Sequence, residues 1–406
     1  MFLTHLSLTN FRSFARLDLE IPRRVVLLTG SNAQGKTTLL EAVYFLAAFT
    51  SFQTHADRQL VNFFEARKEL AVGRLVAEYT RGPAKHHLEV RLVLEGVGVS
   101  GQRLRKEILL DGIKRPLSEV IGHFSAVMFV PQMVQIIEGG PEERRRTLNL
   151  VVAQTVPGYA HLLGEYGRAL SQRNALLKLL GERGGDQSQL DFWDESITQT
   201  GAAIIYQRIQ AVHEIEKHAV RIHSQLTNGS EVLRIHYQPA YDPLPAPAGQ
   251  IVLPLNTSVE RNGLTEEDIR QGYHAALKAN RAEEIRRGVT LLGPHRDELR
   301  FIANGIDLTN FGSRGQVRTT LLSIKLAEIE WMKSRTGQWP VLLLDEVLAE
   351  LDTQRRNDLL AYLEHIDQAL LTTTDLKLFS SEFVKKAELW EVASGTVKVS
   401  ADGKEG

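Results

Sequence analysis

The chain has 406 residues, with 48 Lys and Arg against 49 Asp and Glu, so its net charge is −1. That length holds one large or two ordinary domains, and the balanced charge excludes broad electrostatic wrapping of a polyanion while leaving a local basic groove open. There is no cysteine, which excludes disulfides, thiol catalysis and a zinc-thiolate site.

The first residues, Met1-Phe2-Leu3-Thr4-His5, lack the basic start and apolar centre of a secretory leader. No apolar run reaches the roughly 18 residues needed to span a bilayer, so no membrane segment and a cytoplasmic location are expected. Residues Arg24 to Thr29 are apolar and β-branched without polar alternation, the pattern of a buried strand. Lys36 to Phe49 reads as a helix. Between them stands Gly30-Ser31-Asn32-Ala33-Gln34-Gly35-Lys36-Thr37, which fits G-x-x-x-x-G-K-[ST] on the strand-to-helix turn that a P-loop requires. Gly30 and Gly35 permit backbone angles closed to other residues, so that loop amides point inward at phosphate oxygens. Lys36 adds a point charge for the terminal phosphates, and the Thr37 hydroxyl is a magnesium ligand. Ser31, Asn32, Ala33, Gln34 and Thr38 complete the expected nucleotide-binding loop.

Farther along, Glu69–Tyr79 and His86–Leu94 alternate and predict an antiparallel hairpin. Pro116–Phe124 predicts a helix and Ala126–Val130 another buried strand. The pattern is helical from Pro141 to about Thr227, with Pro157–Leu180 and Leu190–Leu226 long enough for an antiparallel pair. Within it, Arg144-Arg145-Arg146 fan out at about 100° per residue and cannot form one patch. One buried ion pair and two solvated ends are expected. Arg168, Arg173 and Lys178 are spaced by five and cover a broad face, open to phosphate contact but read in preference as solvated. Glu231–Tyr237 predicts a strand, and Pro239–Pro254 holds five of the 13 prolines and predicts a loop. Thr265–Arg287 predicts a helix with a Thr265-x-x-Asp268 cap. An internal ion pair and a catalytic role both remain open for Arg296 and Asp297, ahead of a strand at Leu299–Ala303.

Ser313-Arg314-Gly315-Gln316 precedes a predicted helix from Val317 to about Lys333. A hydroxyl, a glycine and free amides at a helix N-terminus form a second anion-binding device; the alternative is an ordinary cap. One chain does not need two such devices for one phosphate tail. The economical arrangement is a head-to-tail dimer in which Ser313, Gly315 and Gln316 of one copy meet the nucleotide held by Lys36 of the other. Val341-Leu342-Leu343-Leu344 is a central strand ending in Asp345-Glu346. Asp345 is placed to coordinate magnesium and Glu346 to act as general base for a water. A helix to Glu364, a strand at Ala369–Thr374, a terminal hairpin and a frayed tail at Ala401–Gly406 follow.

The order P-loop, Ser-x-Gly-Gln, Asp-Glu and Glu350-Leu351-Asp352 resembles the ABC-type ATPases of the SMC group. More narrowly, it resembles the RecF family of bacterial recombination mediators. Leu6 to Phe14, Gly139 to Arg146, Gln172-Arg173-Asn174, Gly293 to Asp297 and Thr372 to Asp375 carry that likeness over nearly the whole chain. The chain departs from the family's usual wording at Glu346, Val317, Ala349 and Gln132.

The resemblance implies an α/β ABC-type ATPase head with a P-loop, in N- and C-terminal parts at 1–135 and 289–406, and an inserted, mainly helical arm at 136–288. It implies ATP and Mg2+ as cofactors, Arg12 among the nucleotide contacts, Gln132 as a magnesium and water contact, and a γ-phosphate switch at Thr374-Asp375. It also implies slow, DNA-stimulated hydrolysis acting as a switch, and an ATP-dependent homodimer on single-stranded, double-stranded or gapped DNA. RecR-type and RecA partners and an SOS role come with it. Two competing readings are a P-loop small-molecule phosphotransferase, which predicts an arginine-bearing lid but no Ser-Arg-Gly-Gln, and a transporter ATPase subunit, against which the long helical arm argues.

Overall fold

Short β-branched runs give way to long amphipathic ones in the middle third of the chain, and the secondary structure follows that change. A computed structural model describes residues 1–406 except 55, 97–102, 245–260, 262, 394 and 400–406. In chain order come β1 (Phe2–Phe11), β2 (Phe14–Glu20), β3 (Val25–Thr29), α1 (Lys36–Ala48), β4 (Leu70–Arg81), β5 (Ala84–Glu95), β6 (Arg103–Leu110), β7 (Ile113–Lys114), α2 (Leu117–Val120) and β8 (Ala126–Phe129). Next are α3 (Gln135–Glu138), α4 (Pro141–Thr155), α5 (Tyr159–Arg183), α6 (Leu190–Leu226), β9 (Leu233–Gln238), α7 (Glu266–Arg287), β10 (Glu298–Ala303), β11 (Ile306–Asp307) and α8 (Leu308–Phe311). The last are α9 (Arg314–Thr336), β12 (Val341–Asp345), α10 (Thr353–Leu363), β13 (Ala369–Thr373), α11 (Ser381–Lys386), β14 (Glu388–Ala393) and β15 (Thr396–Val399).

Two compact units result: residues 1–132 with 328–406, and residues 133–327. The first holds two sheets. One runs β15-β14-β3-β13-β12-β8, parallel throughout except for β15, which pairs antiparallel with β14. Every residue of β12 and β13 is buried, as expected of parallel strands covered on both faces. The other sheet is antiparallel, β2-β1-β4-β5-β6-β7, and contains the predicted hairpin as β4 and β5. The expected helix at Pro116–Phe124 shrinks to α2, because the chain turns at Gly122, whose φ is +87°.

The second unit is mainly helical. Helices α5 and α6 form the predicted long pair, and α7 packs along both. Thr265 and Asp268 cap α7 reciprocally, and Gly288 ends it in a left-handed conformation. Residues 289–327, read above as the start of the C-terminal head, pack in this second unit. The reason is β10, which pairs antiparallel with β9 from Glu298↔Gln238 to Ala303↔Leu233. Residues 239–244 of the predicted proline-rich loop carry no regular element; the rest of it, and the Ala401–Gly406 tail, lie outside the described residues.

Arg173 corrects the expectation of a solvated face. It is fully buried, donating to Asp194 on α6, Glu284 on α7 and Thr290, at 2.7, 2.7 and 2.8 Å. Its carboxylate partners come from helices remote in sequence, which cover that face of α5, whereas Arg168 and Lys178 remain exposed. Arg144 is the buried member of its run, bidentate to Glu298, while Arg145 is half-buried and donates to the Asp297 carbonyl. Arg296 is exposed. Asp297 is buried and accepts from Arg208 on α6 and from the Tyr237 hydroxyl, so it serves an internal network.

The same network fixes His295. Its Nε2 lies 3.2 Å from the Thr290 carbonyl, which only accepts, so Nε2 bears the proton and Nδ1 accepts from Tyr166 at 2.6 Å. Burial pushes the ring's pKa down to about 4, from 6.5 in the unfolded chain. Between those values the unfolded chain binds the extra proton. The stability contributed by neutral His295 is therefore complete above pH 6.5 and is lost as pH falls toward 4. Urea unfolding at about pH 7.5 and about pH 5 should show a smaller loss of stability in His295→Gln than in the parent chain. Equal losses would remove His295 from the titration.

Candidate nucleotide-binding site

The parallel register brings the two ends of the chain to one sheet edge. Thr29 of β3 pairs with Thr373 of β13, and Thr372 pairs with Asp345 of β12. The P-loop leaves the end of β3 and Asp345 ends β12, so segments 308 residues apart meet. The Thr37 hydroxyl donates to Asp345 Oδ1 at 2.9 Å.

Loop geometry explains the glycines. Gly30 has φ +137°, and a Cβ there would stand 2.4 Å from the Val392 carbonyl oxygen. Gly35 has φ +114° and caps α1 without any side-chain hydrogen bond, and no acid occupies the helix's first turn. The start of α1 is therefore uncapped and free of negative side chains, as an anion site requires. Lys36 is only 4% exposed; its ammonium donates to the Gly30 and Ser31 carbonyls at 2.7 and 3.0 Å and stands 3.7 Å from Glu346. The loop thus wraps around the lysine and fixes where its charge lies.

The two acids are placed differently. Asp345 is buried and accepts hydrogen bonds from both Thr37 and Thr372, the latter at 2.7 Å. Glu346 has φ +53°, a left-handed conformation costing a non-glycine residue about 1–2 kcal/mol. Its amide donates to Thr372 Oγ1 at 2.9 Å and its carboxylate is 41% exposed. One threonine hydroxyl thus orients both acids. Thr372 was not singled out for this role, because a strand threonine announces nothing until the Asp345↔Thr372 register is known.

Arg12 stands on the rim in a left-handed turn, φ +51°. Its Nε and Nη2 donate to Glu41 of α1 at 3.0 and 2.7 Å, and Glu41, fully buried, also accepts from Ser51. Glu41 and Ser51 are further site-building residues that the motif reading missed. A glutamate inside an apolar helix was the available signal, since a buried carboxylate needs a partner.

One cleft is lined by Arg12, Asn32 to Thr38, Gln132, Asp345 and Glu346, together with Phe52, Arg58, Asn62, Phe63 and Phe64. Gln132 is exposed in the turn after β8. Thr374 and Asp375 lie beyond β13, where Asp375 caps the following turn. Ser313, Gly315 and Gln316 belong to the second unit, at the start of α9.

A magnesium ion fits the donor set. Thr37 and Asp345 offer one hydroxyl and one carboxylate, and no group of three or more His, Cys, Asp or Glu suited to a metal occurs among the described residues. That suits a hard cation held mainly by phosphate and water. No helix among the described residues is long and apolar enough to cross a membrane.

Comparisons with known proteins identify the family. The family described as RecF/RecN/SMC N terminal domain matches residues 2–396. The DNA replication and repair protein RecF of Bacillus mycoides (strain KBAB4) is 34% identical over 405 residues, covering 100% of both chains. That of Geobacillus thermodenitrificans (strain NG80-2) is 35% identical, covering 98% of this chain and 99% of its own. A solved structure described as the recombination mediator protein RecF-ATP in the RecFOR pathway superposes with a TM-score of 0.81 at 29% identity, over 98% of this chain and 99% of that one. An SMC head bound to the C-winged helix domain of ScpA, 13% identical with a TM-score of 0.51 over 98% of each chain, shares the fold. The architecture is that of an ABC/SMC-type ATPase head carrying a helical arm, and the chain belongs to the RecF family of DNA replication and repair proteins.

Proposed function

We propose that this protein is an ATP-operated switch in recombinational DNA repair, acting in the cytoplasm. Its ATP-bound form pairs two copies on DNA, single-stranded, double-stranded or at gapped junctions. The observation that carries the nucleotide reading is the Thr37–Asp345 hydrogen bond at the mouth of an uncapped helix N-terminus. Membership of the RecF family supports the DNA role, and the relative described as RecF-ATP supports ATP as the nucleotide. RecR-type and RecA partners follow from the same kinship, since those relatives are described within the RecFOR pathway. The phosphotransferase and transporter readings gain nothing from these matches.

The residue roles follow from position. Lys36 and the loop amides from Ser31 to Thr38 hold the phosphate tail, and Arg12, kept in place by Glu41, serves the same cleft. Thr37 and Asp345 would hold magnesium, with Gln132 of the same cleft as a further contact. A bound Mg2+ supplies charge neutralisation to the β- and γ-phosphate oxygens. Glu346 accepts the proton of the attacking water. Ser313, Gly315 and Gln316 of the second copy close over the terminal phosphate. Slow hydrolysis then makes the γ-phosphate a ligand that favours the dimer until it is lost.

Three substitutions test these roles. Lys36→Ala should weaken ATP binding about 10- to 100-fold in a folded protein, by loss of charge-assisted hydrogen bonds. Nucleotide titration reads this, and unchanged affinity would refute the P-loop role. Glu346→Gln should bind ATP normally but turn over about 100-fold more slowly, trapping the dimer; a parental turnover rate would show that Glu346 is not the base. Ser313→Arg should bind ATP as a monomer and lose ATP-dependent dimerisation, hydrolysis and DNA retention together. Sedimentation with ATP decides, because a normal ATP-induced dimer is incompatible with a trans role for Ser313.

A further inference from the structure

An unbroken row of side chains, all within the second unit, joins the Ser313 segment to the last turn of α6. Ser313 N–H donates to Gln316 Oε1 at 3.1 Å, and Gln316 N–H donates to Ser313 Oγ at 3.2 Å. This reciprocal cap uses up the glutamine's carbonyl and fixes the direction of its amide group. Gln316 Nε2 donates to Glu231 Oε1 at 3.0 Å. The other oxygen, Glu231 Oε2, lies 3.1 Å from Nε2 of His223, which is completely buried. His223 Nδ1 lies 3.1 Å from Ser323 Oγ, which is 2.8 Å from the Thr319 carbonyl one turn back along α9. The row therefore leaves α9 at Gln316, passes through the turn after α6, enters α6 and returns to α9.

Proton counting gives the row a direction. An ionised Glu231 only accepts, so His223 Nε2 carries a proton in either charge state of the ring. Ser323 has one hydroxyl proton, which goes to His223 Nδ1 when the ring is neutral or to Thr319 when it is charged. The Nε2–H to Glu231 bond is the same in both. His223 thus orients Glu231, Glu231 orients the Gln316 amide, and the oxygen of that amide holds the Ser313 backbone N–H, beside the exposed Ser313 hydroxyl. One end of the row is sealed in the core and the other is open to a ligand.

We propose that Glu231 and His223 are positioning residues for the Ser313–Gln316 segment, tying its readiness for a partner copy's terminal phosphate to the seating of the last turn of α6. This rests on the trans role given to Ser313 above. The coupling is reciprocal: displacing the end of α6 frees Gln316, and engaging Ser313 steadies the end of α6. The long arm helix and the phosphate-sensing segment then report on each other through three side chains, those of His223, Glu231 and Gln316. An ordinary helix cap would not extend beyond Ser313 and Gln316.

The test uses the full chain. Glu231→Ala should bind ATP with parental affinity, since the P-loop lies in the other unit, and should melt cooperatively. Its ATP-induced dimer should weaken about tenfold or more, with hydrolysis falling in step. Glu231→Gln keeps an acceptor for Gln316 and can donate to the other tautomer of His223, so it should restore most of the dimer; a purely electrostatic role for Glu231 would leave it as impaired as alanine. His223→Leu, similar in volume but without a donor, should match Glu231→Ala and stands in for it should that variant not fold. Ser313→Arg run alongside separates the two ideas. If it abolishes the dimer while Glu231→Ala and His223→Leu dimerise like the parent, the positioning role is overturned and the trans role stands. If Ser313→Arg itself dimerises normally, the trans role falls and the positioning proposal falls with it.

Discussion

The parallel pairing of β3, β13 and β12 is the constraint on which the nucleotide site depends. Thr37 and Asp345 are 308 residues apart and have no local reason to meet. They meet because Thr29 pairs with Thr373 and Thr372 with Asp345, which ends three strands at one edge. A register slip of one residue would send each side chain to the opposite face, turning Asp345 away from the loop. Asp345 opposes that slip: turned away, its buried carboxylate would lose the Thr37 and Thr372 hydroxyls that partner it.

Three of the left-handed non-glycine residues line the nucleotide cleft. Glu346 and Arg12 both have positive φ, as does Ala33 inside the loop. Non-glycine residues hold such angles only when their surroundings over-determine them. Thr372 does this for Glu346 by accepting its amide while donating to Asp345. For Arg12, the amide donates to the Leu60 carbonyl, its own carbonyl accepts from Asn62, and two guanidinium nitrogens are held by Glu41. Side chains that must act from fixed positions are thus held by their backbones as well as by their tips.

The sequence made the strands and helices legible wherever a short-range pattern dictated them. Short apolar runs marked β3, β8, β12 and β13, and a sustained helical pattern marked the α5–α6 pair and α7. The glycines, lysine and threonine of the P-loop were readable because backbone freedom and charge belong to the residue type itself. What escaped depended on partners distant in the chain. Arg173 looked solvated because Asp194 and Glu284 cover it from other helices. Residues 289–327 looked like head because they precede the head's acidic strand, yet β10 chooses β9 as its partner. Thr372 and Glu41 were invisible as site residues because a hydroxyl or carboxylate gains a role only from the neighbour that tertiary structure provides.

The second unit is organised by buried arginines to a degree that apolar patterning would not suggest. Arg173 links α5 to α6, α7 and Thr290 through three separate nitrogens, Arg208 links α6 to Asp297 and the Pro294 carbonyl, and Arg144 links α4 to β10. Leucines of similar volume could supply comparable stability, since burying charge is costly even when it is paired. They could not supply direction. A buried guanidinium held by partners on other elements accepts one relative placement of those elements and penalises others by leaving a buried charge unmatched. Apolar contacts permit small slides of one helix along another; these forks do not. A displacement of α6 must then be carried as a unit to whatever its ends touch, and its C-terminal end touches Glu231 and, through it, Gln316. The arm's rigidity and the placement of the Ser313–Gln316 segment thus have a common physical origin in directional, partnered polar groups.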